Sequence, residues 1–365
     1  MYHFRLAESD DRTLLAALQQ EDTMEGLIRI GSESDSSFMI GEHPSNPYQQ
    51  TIIGTRNGQP AGMACRTVYD RYVNGHAAAV GYLSGLRSFS EARKGLGLAR
   101  GYAFARKLHR DGRCRYYLST IMESNRYAQS VLTGGRAALP VYKYLKRYIT
   151  CVFHLPRQTK SPSRNDPIEV HRGAASRKEL NRFYSKLGLG RQFFPVFSES
   201  QWKTGHLADL HPDDFYLAYR NSRLVGAAAR WDRRQEKRMI LRSYVPWLRA
   251  VRPLVNGALA LGGHSPLPEA GCEVPMFYLS YLLIEENDPH ICRRILDAVY
   301  GDRANGDFQF FVVGFPSGDP LLEAAARFPV THLRSRIYLV YWPEDADAAD
   351  AIDHSRPLHL EAALL

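Results

Sequence analysis

Gly81-Tyr-Leu-Ser-Gly-Leu-Arg-Ser-Phe-Ser-Glu-Ala-Arg93-Lys94-Gly95-Leu96-Gly97-Leu98-Ala99-Arg100 decides the reading of this chain. A strand runs into a short loop, and closely spaced glycines then open a helix. Glycine lets backbone N–H groups turn toward a bound anion, and the start of a helix adds its dipole. Arg93, Lys94 and Arg100 flank the turn with positive charge. The pattern is a phosphate cradle in principle. It is not a Walker A loop, which needs Lys-Ser/Thr after its last glycine, nor a dinucleotide fingerprint, because Arg stands at position 100.

Working outward, the flanking segments alternate strand and helix. A strand at His3–Ala7 leads to a helix at Asp11–Gln20, with Asp10 or Asp11 as its cap. Residues 21–48 read as irregular. Strands follow at about 50–56, 61–72 and 77–87, the first two joined by a turn at 57–60. Leu98, Tyr102, Ala105 and Leu108 share one face of a helix at about 97–110. A strand at Tyr116–Ile121, a helix at Asn125–Thr133 and one or two long strands over Val141–Leu155 complete the first half. Pro156 to Pro167 holds no apolar residue apart from its prolines and reads as a linker.

Lys94-Gly-Leu-Gly97-Leu-Ala99 resembles motif A of the GCN5-related N-acetyltransferases, [Q/R]-x-x-G-x-[G/A], with Lys in the first place. Asn125-Arg-Tyr-Ala128-Gln-Ser-Val131-Leu132 resembles the family's next helix, and the strand order over residues 2–155 matches its fold. The resemblance implies an α+β fold and an acyl-CoA-dependent N-acyltransferase using acetyl-CoA. It implies a coenzyme site at Leu86, Arg87, Ser88, Lys94, Gly95, Leu96, Gly97, Leu98, Ala99, Arg100 and Asn125. Backbone N–H groups around Leu86–Ser88 would polarise the acyl carbonyl. One departure matters: Leu132 stands where the family often has a tyrosine acid. Glu123 and Tyr142 are weak candidates for proton transfer, with Tyr82, Ser84, Tyr127, Tyr144, Glu42 and His43 behind them. A packed or solvated role is the plain alternative for each. Gly97→Glu is predicted to block the coenzyme with little change in fold.

The second half repeats part of the first. Arg56-Asn57-x4-Gly62-x-Ala64-x-Arg66 recurs as Arg220-Asn221-x4-Gly226-x-Ala228-x-Arg230, about 164 residues on. Both copies read as hairpins preceded by a strand–helix opening. Met276–Ile284 then stands for the strand before the cradle, but Glu285-Glu-Asn-Asp-Pro follows it, with no glycine turn and with repelling acids. The expected organisation is two tandem acetyltransferase-like lobes, each a mixed, mostly antiparallel sheet flanked by helices. They cover 1–155, with the coenzyme site, and 168–345, without a cradle. Residues 156–167 link them and 346–365 form a solvated tail. The second lobe is expected to pack on the first, shape the acceptor site or form a homodimer.

Composition bounds these readings. The 365 residues are 44% hydrophobic and 23% charged, which excludes extended disorder. No run approaches the roughly 18 apolar residues of a membrane span. Five scattered cysteines without a C-x-x-C pair fit a reducing cytoplasm and no structural zinc or other metal. Of the net charge of +9, about +7 falls in the first 155 residues, the half with the cradle. Nucleic-acid binding is disfavoured, since RNP, zinc-finger and basic-helix signatures are lacking. A non-catalytic coenzyme A-binding protein is the alternative to an enzyme. The amine acceptor, small molecule or peptide, is not legible.

Overall fold

A computed structural model describes all residues except 21–27, 36–38, 41–42, 46–47, 89–96, 137, 157–165, 174, 262–265 and 303–304. The first half runs β1 (Tyr2–Leu6), α1 (Arg12–Gln20), β2 (Ile28–Ser34), β3 (Gln49–Arg56), β4 (Gln59–Val73), β5 (His76–Ser88), α2 (Gly97–His109), β6 (Tyr117–Met122), α3 (Arg126–Leu132) and β7 (Val141–His154). The second half runs β8 (Ile168–Arg172), α4 (Arg177–Gly188), β9 (Phe215–Arg220), β10 (Arg223–Trp231), β11 (Lys237–Tyr244) and α5 (Pro246–Leu261). It continues with β12 (Met276–Ile284), α6 (Pro289–Gly301), β13 (Phe310–Pro316), α7 (Leu322–Ala325), β14 (Val330–Tyr341) and α8 (Ala346–Asp350). The expected mixed α+β fold is present.

Twelve strands form one sheet in the order β1-β3-β4-β5-β6-β14-β7-β13-β12-β10-β9-β8. The order is symmetric about its centre: each first-half strand has a second-half counterpart at the same distance from the middle. The central pair has changed sides. β7 lies against β13 of the second half, β14 lies against β6 of the first, and the two pair with each other. Burial fixes the exchange. Phe153 of β7 is fully buried and stacks on Phe311 with ring centroids 4.5 Å apart, in a core with Ile291 and Ile295 of α6. Tyr338 and Val340 of β14, with Trp342 just beyond, pack on Tyr102 of α2 and Tyr117 of β6. Each half therefore completes its apolar core with the other half's last strand, which couples the two.

The paired hairpins fold for the same local reason. Asn57-Gly58 and Asn221-Ser222 have positive φ at both positions (52° and 81°; 50° and 60°), the turn that matches the twist of adjoining strands. One side chain of the repeat then diverges. Arg66 is buried and forks onto Asp111 (2.7 and 2.9 Å), with Nε donating to the Tyr117 hydroxyl at 2.9 Å. Arg230 instead lies over the rings of Phe277 and Phe308.

Two expectations are corrected. Residues 28–34, inside the segment read as irregular, form β2, which pairs antiparallel with β11. The partner lies some 200 residues away (), so no local hairpin signal announces it. The end of the chain is not a solvated tail. Glu344, Asp345 and Asp347 pair with Arg106 and Arg115, and Leu360 to Leu364 are buried. Of the linker read over 156–167, residues 157–165 lie outside the described residues.

Candidate functional site

β5 and β6 run parallel but pair only at Gly81–Tyr117 and Tyr82–Leu118, although β5 continues to Ser88 and β6 to Met122. Beyond that point the strands fork, bridged by side chains. The Tyr82 and Thr120 hydroxyls are 2.7 Å apart, and the Ser119 hydroxyl donates to the Leu83 carbonyl at 2.9 Å. β5 bulges at the mouth of the fork. Cys65 faces Ser84 and Met63 faces Arg87, so Gly85 and Leu86 together oppose Ala64. Gly85 has φ 60°, and a Cβ there would lie 3.3 Å from the Cys65 sulfur. Only glycine takes this turn without strain. The bulge aims backbone groups out of the ladder at the point where the strands part.

Lys94, Gly95 and Leu96 lie outside the described residues, as does Glu42. Leu86 is exposed, Ser88 is half-buried, and the Arg87 guanidinium donates to the Ser32 hydroxyl of β2 at 3.1 Å. Gly97 is the first residue of α2, and Arg100 is exposed in its first turn. Leu98 packs toward the core and Ala99 is half-buried. A Cβ on Gly97 would sit 2.9 Å from the Tyr2 ring, so this glycine also lets α2 approach β1. Gly97→Glu would therefore move Tyr2 as well as any ligand. Asn125 caps α3, its side-chain oxygen accepting from the Ala128 N–H at 3.0 Å. Leu132 is buried in the core.

The proton-transfer candidates sit in surroundings that suit packing. Glu123 is held by Arg147 at 2.7 Å and Arg336 at 3.6 Å, and the Arg147 hydrogen bond keeps its carboxyl below the usual range. Tyr142 is pushed up to about 12 by burial, with its hydroxyl 2.6 Å from that of Tyr102. Burial likewise raises Tyr82 to about 12. Tyr127 and Tyr144 are exposed, and Tyr144 packs edge-on to Tyr338.

The second half supplies groups beside this fork that one-half motif reading could not find. Burial, reinforced by Arg233 and Arg87, pulls the Lys237 ammonium of β11 down to about 8. Lys237 and Arg87 are both near enough to Cys65 to bias its ionisation, although burial raises that thiol overall. Lys237 donates to the carbonyl oxygen of Leu365 at 2.6 Å, and Arg233 donates to that of Ala363. Alongside, His43, Asp209 and Glu236 bring ligand-capable atoms within 4.8 Å of one another. Burial and a hydrogen bond donated to Glu236 raise Asp209. Burial opposes ionisation of Glu236, but Arg233 holds it low. Of these groups only His43 was a candidate from sequence; Arg233, Glu236 and Lys237 stand in a run of charge over Asp232 to Arg238 after a strand, and Asp209 carries no signal of its own.

This chain has the fold of the GCN5-related N-acetyltransferases. It is similar to a GCN5-related N-acetyltransferase from Sphaerobacter thermophilus (TM-score 0.54, 13% identity, covering 93% of this chain and 95% of that one). It is similar to the glucosamine N-acetyltransferase region of a fungal multi-domain β-N-acetylglucosaminidase (TM-score 0.60, 10% identity, 93% of this chain, 38% of that one). It also resembles Saccharomyces cerevisiae N-myristoyltransferase with bound myristoyl-CoA (TM-score 0.54, 9% identity, 93% and 79%). No protein-family model matches the chain, and no curated protein matches it by sequence. Among the described residues no helix is long and apolar enough to cross a membrane.

Proposed function

We propose that the chain is an acyl-CoA-dependent N-acyltransferase that moves acetyl from acetyl-CoA to an amine, with its site in the β5/β6 fork. The observation that carries this reading is the Gly85 bulge at the mouth of the fork. Backbone N–H groups released there can hold the oxygen that becomes negative when a thioester carbonyl is attacked. The first turn of α2, with Arg100, supplies the dipole and charge for a pyrophosphate. Lys237 takes the role of base. In its neutral form it accepts the proton of the ammonium formed when the amine nitrogen bonds to the carbonyl carbon. The C–S bond breaks as the carbonyl reforms, and the thiolate then takes a proton from Lys237 or water, so no tyrosine is required at Leu132. An amine of pKa about 8 is well matched to this work at neutral pH.

The chain is proposed to consist of two lobes, 1–155 and 168–345, that exchanged their last strands, with the acceptor entering between β2, β11 and the fork. The recurring hairpin and the symmetric strand order support the duplication. Five unpaired cysteines support a reducing, cytoplasmic setting. The buried Leu132 favours a second reading, a coenzyme A-binding protein without turnover. Calorimetric titration with acetyl-CoA, followed by thiol release over a panel of amines, separates the two. Binding without release on any amine would sink the enzyme, and absence of binding would sink both.

A further inference from the structure

The second half contains a fork of its own, and the chain has filled it. β12 and β13 pair in parallel only from Met276–Phe310 to Tyr278–Val312 and then diverge. β12 bulges just beyond: Ala229 faces Ser280 and Ala227 faces Leu283, so Tyr281 and Leu282 oppose Ala228. This is the register of the first fork residue for residue, with Ser280 in the place of Ser84 and Tyr281 in that of Gly85. The backbone repeats too. Tyr281 has φ 55°, a conformation that a bulky side chain rarely adopts, against 60° at Gly85. The strain is held by burial: the Tyr281 ring is fully buried, and its hydroxyl donates to the His206 carbonyl at 3.1 Å.

At the mouth of this second fork the Tyr281 N–H donates to a Glu361 carboxylate oxygen at 2.6 Å. Glu361 is 4% exposed, and its other oxygen accepts from the Ala363 N–H at 3.3 Å. His359 lies 3.7 Å away, where burial disfavours the charged form of its ring, and the buried Arg71 guanidinium acts on Glu361 at longer range. A carboxylate buried against backbone N–H groups is the arrangement an acyl oxygen would take at an oxyanion site. His359 to Ala362 line the cleft between the diverging strands, with Leu279, Val313 and Phe315 on its walls, and leave only about 10 Å³ there. That is too little for any ligand beyond a water.

We propose that residues 358–364 are a built-in occupant of the second fork, with Glu361 in the place of an acyl oxygen, and that Glu361 is thereby a positioning residue for the first site. The inference rests on reading both forks as acyl sites. It explains why Glu285-Glu-Asn-Asp-Pro could replace a phosphate cradle: a fork closed from within has no coenzyme to hold. It also assigns the closed fork a task. The segment anchored by Glu361 goes on to Ala363 and Leu365, whose carbonyls receive Arg233 and Lys237 beside the first fork. One dead acyl site thus serves as the anchor for a wall of the other.

The test compares the intact chain with Glu361→Ala and Glu361→Gln by hydrogen exchange and by titration with acetyl-CoA. In Glu361→Ala, amide exchange at Tyr281 and over residues 357–365 should accelerate at least ~10-fold, with β4 and α2 unchanged. Glu361→Gln keeps one acceptor, so it should retain most of the protection at Tyr281 and lose it at Ala363. That variant carries the test if the alanine variant does not fold. The intact chain should take up one equivalent of acetyl-CoA. Unchanged exchange at Tyr281 in Glu361→Ala, or two equivalents bound by the intact chain, would overturn the proposal. Zero equivalents would defeat the transferase reading alone, because the exchange comparison does not depend on the coenzyme.

Discussion

The two forks share a backbone and differ in what the sequence does with it. In the first, glycine takes the left-handed position of the bulge, a helix opens on glycine beside it, and the nearest charges are Arg87 and Lys237. In the second, tyrosine takes the same position under strain, acids follow the strand, and the chain's own carboxylate fills the mouth. A bulged, forked strand pair is thus a neutral device. On the proposed reading it serves as a site where the neighbouring residues are small and basic, and as a structural joint where they are large and an internal ligand is supplied. Lys237, from the second half, stands near Arg87 and Cys65 of the first, which is why it is the proposed base.

The sharpest way to break that contrast is Lys237→Met. Turnover should fall about 100- to 10,000-fold, the range for loss of a general base. The pH profile supplies the sign. Lys237 is charged and unable to accept a proton below its pKa of about 8, so activity in the intact chain should climb as pH rises through 8 and then level off. Steady-state rates from pH 6 to 10 check both. A variant that keeps the rising limb would return Lys237 to a structural role and free the base for another group.

The exchange of strands gives the next largest effect. Phe153 lies in the first half of the chain but in the core of the second. Phe153→Ala should cost ~3–5 kcal/mol. Hydrogen exchange should rise first in α6, around Ile291 to Val299, and not in α2. Equal acceleration in both helices would mean that the halves do not have separate cores. Glu361→Ala, measured the same way, distinguishes loss of the anchor from loss of the core.

How far the sequence carried this picture depends on the range of the interactions involved. Local signals were sufficient for the hairpins at Asn57 and Asn221, for α2, and for β12, whose bounds were read without error. The bulge at Gly85 was not legible, because φ cannot be read from a glycine in a strand; it adjoins the Leu86–Ser88 backbone that the resemblance assigns to the acyl group. The strand exchange, the pairing of β2 with β11, and the burial of Glu361 were not legible. Each joins residues about 80 or more positions apart, where no periodicity or turn chemistry reports on the partner. Lys237 was missed for the same reason. Its lowered pKa comes from burial and from the charges of Arg233 and Arg87, while by itself it is one cation in a charged run.

Arg66 and Arg230 occupy the same place in the repeat and test how far the halves have diverged. Asp111→Asn would leave the Arg66 guanidinium buried without its counter-charge and should cost ~2–4 kcal/mol. Arg230→Met, which removes the contacts with the Phe277 and Phe308 rings, should cost under ~1 kcal/mol. Burial opposes ionisation of Asp111, but Arg66 and Tyr48 hold its carboxyl far below the usual range. Its contribution is therefore full above the ordinary aspartate pKa and is lost as pH falls below it. Denaturation between pH 2 and 7 should show a steeper acid loss in the intact chain than in Asp111→Asn. Parallel curves would mean that Arg66 is satisfied by Tyr117, Tyr48 and Gln50 alone. At the cradle itself, Arg100→Glu should weaken acetyl-CoA binding roughly 10-fold at low salt and less at high salt. Arg294→Glu, on the helix after the closed fork, should leave that affinity unchanged.

The smallest effect is expected at the paired turns, where the halves differ by one residue. Asn57-Gly58 closes the first hairpin and Asn221-Ser222 the second, and both second positions lie at positive φ, 81° and 60°. Serine pays a steric cost there that glycine does not, because its Cβ crowds the backbone in the left-handed region. Glycine is also more flexible in the unfolded chain, which offsets part of that gain. Ser222 is exposed, and no side-chain hydrogen bond of its own is found among the described residues, so nothing else is lost. Ser222→Gly should therefore stabilise the protein by at most ~1 kcal/mol. For a chain of this length that is a rise in Tm of about 2–4 °C or less. A fall in Tm would show that the flexibility glycine adds to the unfolded chain outweighs the strain it relieves at this turn.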